Sequence, residues 1–331
     1  LTALRPDGTA ALAEMIGASD QKLGILAAWS SHWARRPPRS EFTGLDLSSL
    51  DRVLDLSAGD LTCRVEAGIR HDRLAAHLDT VGLEWPVQPL PGQTRLAQTY
   101  LSGAAFTTSA LFPNPRDWIL GGTLVSGRGE IVTTGGATVK NSAGYDLVRS
   151  CFGSMGVLAA PAQLQLRLRP QPEARLRLGA SGVGPEQFAA LLAEARRQLD
   201  VVETFQIAGD FAHLAIAGPE DRVGEAAAAL TKTMPDLAGA ERVPGSAGPD
   251  WTGVRHRLIL SADRVTEFLA PRAPARFWAF PFQRMAFSQI SPGQSFPDAH
   301  SAQALPVPDA RPLRAGLALL CRGLDPDRIF V

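Results

Sequence analysis

Residues 139–158 read VKNSAGYDLVRSCFGSMGVL, the densest run of chemically useful side chains in the 331-residue sequence. Gly144, Gly153 and Gly156 fall within thirteen residues. Glycine has no Cβ, so backbone N–H groups at such positions can approach a ligand closely, a phosphate in particular. Asn141 offers a donor and an acceptor, Tyr145 an aromatic face and a hydroxyl, and Ser154 a small hydroxyl. Lys140 can balance anionic charge and is one of three lysines, with Lys22 and Lys232, among 33 basic residues. The set suits a long ligand with a phosphate and a flat ring. The same glycines would also serve a strand–turn–helix that merely packs. Asp117 follows Arg116 just before an apolar run and is a second polar candidate.

Other chemistries find little support. The six histidines (His32, His71, His77, His213, His256 and His300) do not cluster as metal ligands, so no metal is expected. His71 and His77 lie six apart and do not share a helix face. Cys63, Cys151 and Cys321 form no CxxC pair and no disulfide framework, and read as buried thiols in a reducing compartment. No nucleophile signature, P-loop or GxGxxG run appears, so the catalytic residues are unknown. The net charge of zero offers no basic surface for nucleic acid. No run of about 18 apolar residues predicts a membrane span. The first residues lack the basic and continuous apolar regions of a secretory signal, and the expected location is cytoplasmic.

The elements that must position these groups follow from periodicity. Residues 8–18 are helical in spacing and rich in alanine. Residues 23–29 read as a buried strand and 30–40 as a loop. Strands are expected within 45–61, with Ser57 to Asp60 as a turn, and again from Cys63. A helix spans 71–81, stopped by Gly82, and 85–95 is a Pro- and Gly-rich loop. Strands at 118–125 and 130–134 flank the hairpin signal SGRG. Another strand covers 157–168, and Pro170 and Pro172 mark a boundary. Beyond it, strand, helix, two strands and a helix follow in the order of a ferredoxin-like lobe. Residues 291–313 read as an irregular connector, and the segment after them as an amphipathic helix.

Four segments in this order resemble the FAD-binding family typified by vanillyl-alcohol oxidase and p-cresol methylhydroxylase, the PCMH type. They are residues 45–87, PRDWILGGTLVSGRGEIVTTGG, VKNSAGYDLVRSCFGSMGVL and GLDPDRIF near the end. Within that family the chain is most similar to FAD-binding subunits of bacterial glycolate oxidases. The resemblance implies an α+β fold: a two-lobed PCMH-type domain over 1–172, a ferredoxin-like cap lobe over 173–290, and a connector and helix over 291–331 that return to the first domain. It implies FAD as cofactor, held by Pro91, Gly92, Thr94, Ser102, Gly103, Asp117, Lys140, Asn141, Gly144, Tyr145, Asp146, Gly153, Ser154 and Gly156. It also implies two partners, a catalytic flavin subunit and an iron–sulfur subunit.

The sequence departs from the family at two places. A loop of the form GGG-(S/T) is replaced by Ala27-Ala28-Trp29-Ser30-Ser31-His32-Trp33, and TLGG by Thr94-Arg95-Leu96-Ala97. The histidine-rich H-x-x-GDGN-x-H stretch of related catalytic subunits is missing. Two roles are therefore expected: a flavin-carrying subunit of a 2-hydroxy-acid dehydrogenase, or a flavin-free scaffold of the same complex.

Overall fold

The computed structural model describes residues 3–28, 41–90, 92–135, 147–208 and 210–239, together with 256–259, 277–280, 285–288, 303–304 and 324. The chain divides into two compact units: Leu1–Phe106, Asn114–Pro170 and Val307–Val331 in the first, Thr107–Pro113 and Gln171–Pro306 in the second. The second unit takes the chain from Gln171 and also its short excursion at Thr107–Pro113, for which the sequence gives no signal.

In the first unit β1 (Ala3–Leu4), β2 (Leu23–Ile25) and β3 (Thr43–Leu45) form a parallel sheet in the order β1-β3-β2. Helix α1 (Thr9–Gly17) links β1 to β2 and buries Leu12 and Ile16, four residues apart on one face. Its alanines favour the helix, and their small side chains allow close packing. The expected strand over 23–29 stops at Ile25 and turns into a 3₁₀ segment, Leu26–Ala28.

A second sheet is wholly antiparallel. Strands β4 (Val53–Ser57) and β5 (Thr62–Glu66) form a hairpin around the expected turn. Further along the chain come α2 (His71–Asp79), β6 (Leu83–Glu84), β7 (Val87–Pro89), α3 (Leu96–Ser102) and β8 (Ala105–Thr107). Then follow β9 (Ile119–Val125), β10 (Ile131–Gly135), α4 (Leu147–Cys151), β11 (Ala160–Arg167) and β12 (Arg169–Pro170). The sheet order is β10-β9-β11-β5-β4. Leu164 stands opposite Val65 and Leu166 opposite Cys63, and all four are fully buried. Burial pushes the Cys63 thiol up to about 12, which keeps it protonated and inert. Glu66, also buried, is held by the backbone N–H and guanidinium of Arg52. The short pairs β7-β8 and β6-β12 complete the unit, the latter closed by an Arg169–Glu84 ion pair at 2.6 Å.

The second unit carries β13 (Ala174–Ala180), α5 (Pro185–Arg197), β14 (Val202–Ala208), β15 (Phe211–Gly218), α6 (Glu220–Thr233) and β16 (Ala238–Gly239). Their antiparallel order, β16-β13-β15-β14, is the ferredoxin-like arrangement. Pro185 starts α5, where a missing N–H costs nothing. Phe188, Leu191 and Leu192 of α5 and Val223, Ala226 and Leu230 of α6 pack on Leu178, Phe205, Leu214 and Ile216. The sheet continues through β17 (His256–Ile259), β18 (Phe277–Phe280), β19 (Met285–Ser288) and β20 (Gln303–Ala304), in the order β14-β18-β19-β17-β20. β20 lies within the expected connector.

No helix among the described residues is long and apolar enough to cross a membrane. No group of three histidine, cysteine or acidic side chains among them could hold a metal ion.

Candidate functional site

Three stretches of the first unit meet: the 3₁₀ segment Leu26–Ala28, helix α3 with Gly103, and the turn after α4. The turn is tied to α3 by the backbone. Gly153 N donates to Tyr100 O at 2.8 Å, and Met155 N to Leu101 O at 2.8 Å. Gly103 ends α3 in the left-handed region, φ 62°. A methyl group there would stand 2.9 Å from Gly153 Cα, so the two chains touch backbone to backbone. Gly156 faces Ala28 and Ile25. Met155, between Ser154 and Gly156, also takes a positive φ of 56°, which is uncommon for a residue with a Cβ. The fully buried Tyr100 adds a side-chain tie: its hydroxyl donates to Val148 O at 2.6 Å, and its ring meets Phe152 edge-on.

Helix α3 takes up the stretch read from the sequence as a degenerate glycine loop. Gln98 Oε1 accepts from Thr94 N at 2.6 Å and Arg95 N at 2.8 Å, so a side chain caps the helix start. The Arg95 guanidinium donates to Gly68 O at 2.6 Å and Ser48 O at 3.2 Å. It thus serves the protein's own carbonyls. Gln93 Oε1 accepts from Leu90 N and the Thr99 hydroxyl, and its amide donates to Ser102 Oγ at 2.8 Å. His71 Nε2 lies 2.9 Å from the same Thr99 hydroxyl oxygen. Burial drives His71 down to about 4, partly opposed by its bond to the Arg95 backbone and by Asp72. Its neutral ring lies parallel to Trp85, 6.0 Å between centroids.

The donor inventory around the turn is therefore specific. The N–H groups of Gly153, Ser154, Met155 and Val157 all bond to protein carbonyls. Among the described residues two buried hydroxyl oxygens remain unpaired, Ser154 Oγ and Thr134 Oγ1. Both flank residues 136–146, Thr134 near the end of β10 and Ser154 just after α4. A buried polar atom without a partner costs about 1–3 kcal/mol, which a ligand acceptor would recover.

Residues 5–146 match the family model described as an FAD binding domain. The fold is that of a PCMH-type FAD-binding domain. FAD is the cofactor of such a domain. A D-2-hydroxyglutarate dehydrogenase of Xanthomonas citri pv. viticola is 32% identical over 166 residues, 49% of this chain and 35% of that protein. A mitochondrial D-lactate dehydrogenase [cytochrome] of Arabidopsis thaliana is 32% identical over 122 residues, 36% of this chain and 21% of that one. Glycolate oxidase subunit GlcD of Bacillus subtilis is 27% identical over 160 residues, 42% of this chain and 33% of that subunit. These matches thus span about a third of the relatives' lengths or less. Two solved structures of alkyldihydroxyacetonephosphate synthase superpose with TM-scores of 0.70 and 0.73 at 10% identity. They cover 99% of this chain and 75% and 76% of theirs, a likeness of fold.

The first unit distributes the sequence-derived site residues unevenly. Ser102, Gly103, Gly153, Ser154 and Gly156 come together at the meeting of the three stretches. Gly92 lies just before α3 with open space where a Cβ would stand. Thr94 is exposed, and its carbonyl accepts from His71 N at 3.0 Å. Asp117 sits in a separate 3₁₀ turn, Pro115–Trp118. Pro91, Lys140, Asn141, Gly144, Tyr145 and Asp146 lie outside the described residues, as do Trp29 to Trp33. Gln98, Thr99 and Thr134, which the structure brings to this region, were not singled out from the sequence. The glutamine three residues after Arg95 was the available signal for a helix start.

FAD fits part of this arrangement. The Ser154 hydroxyl and the open side of Gly92 suit a phosphate- and hydroxyl-rich ligand. Ser102 Oγ, which already accepts from Gln93 and from Ala104 N at 3.1 Å, and the glycine pair 103/153 are engaged within the protein.

Proposed function

We propose that this chain is the FAD-binding subunit of a glycolate-oxidase-type 2-hydroxy-acid dehydrogenase complex. The observation that carries the reading is the match of residues 5–146 to an FAD binding domain, with the unpaired Ser154 hydroxyl at its meeting of loops. The named relatives act on D-2-hydroxyglutarate, D-lactate and glycolate, all 2-hydroxy acids. FAD, when bound, supplies a two-electron acceptor for such an oxidation. In this reading Ser154 donates its hydroxyl to the cofactor's oxygens. Gly92 admits close approach, and Lys140, Asn141 and Tyr145 supply charge, amide and ring along the cofactor. Asp117, Asp146 and Gly144 complete the set. The glycines at 103 and 153 let α3 and the turn meet closely enough to place Ser154. The chain works beside a catalytic flavin subunit and an iron–sulfur subunit, in the cytoplasm, where the buried free thiols Cys63 and Cys151 stay reduced.

The second reading is a flavin-free scaffold of the same complex. It draws on the backbone N–H groups of residues 153–155 and on Arg95, all engaged by the protein's own carbonyls. Titration of the purified chain with FAD, followed by quenching of flavin fluorescence, separates the two. Saturable binding of one FAD supports the flavin subunit. No quenching at millimolar-range FAD leaves the scaffold. Co-expression with candidate catalytic and iron–sulfur subunits tests the assembly: elution as a free monomer removes both readings.

A further inference from the structure

The start of α3 is fixed by backbone bonds. His71 N donates to Thr94 O at 3.0 Å, Leu96 N to Ile69 O at 2.9 Å and Ala97 N to Ala67 O at 2.6 Å. The turn just before it, from Leu90 to Gln93, is held in another way. Gln93 N donates to Leu90 O at 3.0 Å, and Gly92 takes a φ of 86°, the left-handed third position of such a turn. Leu90 N returns a bond to Gln93 Oε1 at 3.0 Å. Among the described residues, the turn's hydrogen bonds to the rest of the unit run through the Gln93 side chain, with Thr99 Oγ1 at 3.1 Å and Ser102 Oγ at 2.8 Å.

His71 stands behind that anchor, its Nε2 2.9 Å from Thr99 Oγ1. Thr99, Gln93 and Ser102 are buried, so a lost link strands its neighbour away from water. The imidazole also lies parallel to Trp85, whose indole N–H donates to Trp118 O at 3.3 Å in the 3₁₀ turn that holds Asp117. The ring thus has two outlets, a hydrogen bond toward the Gly92 turn and a stack toward the Asp117 turn. The stack, at 6.0 Å between centroids, tolerates sliding. The hydrogen bond fixes both distance and direction.

We propose that His71 is a positioning residue for the cofactor: through Thr99 and Gln93 it sets the Leu90–Gln93 turn so that the bare face of Gly92 meets bound FAD. Nothing lies within 4 Å of a Cβ built at Gly92, so the turn presents open backbone. The contact with FAD rests on the flavin-subunit reading; the setting of the turn does not. Burial brings His71 down to about 4, so the ring is neutral near pH 7 and a neutral amide of the same reach can replace it.

Two variants separate the outlets. His71→Phe keeps a ring for Trp85 and removes the hydrogen bond. His71→Gln keeps a polar group near the Nε2 position and removes the ring. Each is read twice on the purified full chain: by NMR exchange of the Leu90 amide proton without FAD, and by FAD affinity from fluorescence quenching. His71→Phe is expected to speed Leu90 exchange and to weaken FAD, each about five- to tenfold. His71→Gln is expected to return both to within about twofold of wild type. Thr99→Val, which keeps the shape of the buried side chain, is expected to act like His71→Phe, and the double variant to be no weaker than either single one. His77→Gln, exposed on the same helix, is expected to change neither. Wild-type values in His71→Phe, losses in His71→Gln alone, or additive losses in the double variant overturn the proposal. If the wild type binds no FAD, the flavin-subunit reading falls and takes the cofactor contact of Gly92 with it, while Leu90 exchange in His71→Phe and His71→Gln still decides whether His71 sets the turn.

Discussion

The two units place polar side chains inside the protein in different ways. Around α3 they are threaded together: His71, Thr99, Gln93 and Ser102 form one chain of hydrogen bonds, and Gln98 and Arg95 serve backbone groups. On the second unit's sheet they lie in a row along one face, and His213 remains unpaired. The first pattern fixes a helix; the second leaves a group that something else can satisfy. In the first unit the corresponding unpaired atoms are hydroxyls, Ser154 Oγ and Thr134 Oγ1, beside the network. The comparison separates polar residues that build the protein from polar residues that wait on a ligand.

The largest test of it is the pH dependence of stability, because among the described residues each unit holds a buried histidine held neutral by its surroundings. Both folded-state values are about 4, below the ordinary value of about 6.5. As pH falls from about 6.5 the unfolded chain takes up protons that the folded chain does not. Stability is therefore lost between about pH 6.5 and 4, and below that the two states titrate alike. The combined loss is at most roughly 7 kcal/mol, less where solvent reaches either ring. Urea denaturation at pH 7.5 and pH 4.5 measures it. His213→Leu should remove its share of the slope without lowering stability at pH 7.5. His71→Leu should remove its share but lower stability there, because Thr99 loses a partner. Equal behaviour of the two variants at pH 7.5 would break the comparison.

Next in size is the contact between Gly103 and Gly153. Gly103→Ala introduces a left-handed non-glycine residue and a methyl 2.9 Å from Gly153 Cα. The expected loss is about 3 kcal/mol, read as a lower urea midpoint at unchanged slope. A loss under about 0.5 kcal/mol would mean that the turn can move away, and that the glycines face something other than each other.

This pair also shows where sequence reading stops. The glycines in GSMG stood out because a ligand's phosphate needs bare backbone; another backbone needs it equally, and a sequence does not name the visitor. Long periodic segments were plain: α1 and α2 lie within a residue or two of their expected spans, since apolar residues three and four apart dictate them. The ferredoxin-like order was equally legible from its succession of elements. Helix α3 was not. Its residues, LAQTYLS, mix polar and apolar side chains and every one of them is buried, so no exposed polar face marks a helical period. The position of Ser154 was legible as a candidate, but its missing partner was not, because satisfaction of a hydroxyl depends on which distant carbonyls the fold brings near.

A smaller effect is expected where the network caps α3. Gln98→Ala leaves Thr94 N and Arg95 N without their shared acceptor and should cost about 1–2 kcal/mol. Gln98→Glu keeps the acceptor and adds negative charge at a helix start, so it should recover most of that loss. Thermal denaturation of both variants decides it. Equal Tm values would mean the glutamine is there for packing alone.

The smallest stability effect belongs to the residue with the most to say about function. Ser154→Ala removes a hydroxyl that bonds to nothing among the described residues, so stability should stay within about 0.5 kcal/mol of wild type or rise. A residue of the network, such as Ser102, should behave oppositely: Ser102→Ala strands the Gln93 amide and Ala104 N and should lower stability by about 1 kcal/mol. FAD affinity separates the two again. Loss of a hydrogen bond to bound cofactor is worth about 1.4 kcal/mol, or roughly tenfold in Kd, and only Ser154→Ala should show it without destabilisation. If Ser154→Ala instead destabilises the chain and leaves Kd unchanged, its hydroxyl is part of the scaffold, and the difference drawn between threaded and waiting polar groups fails in the unit where it matters most for the cofactor.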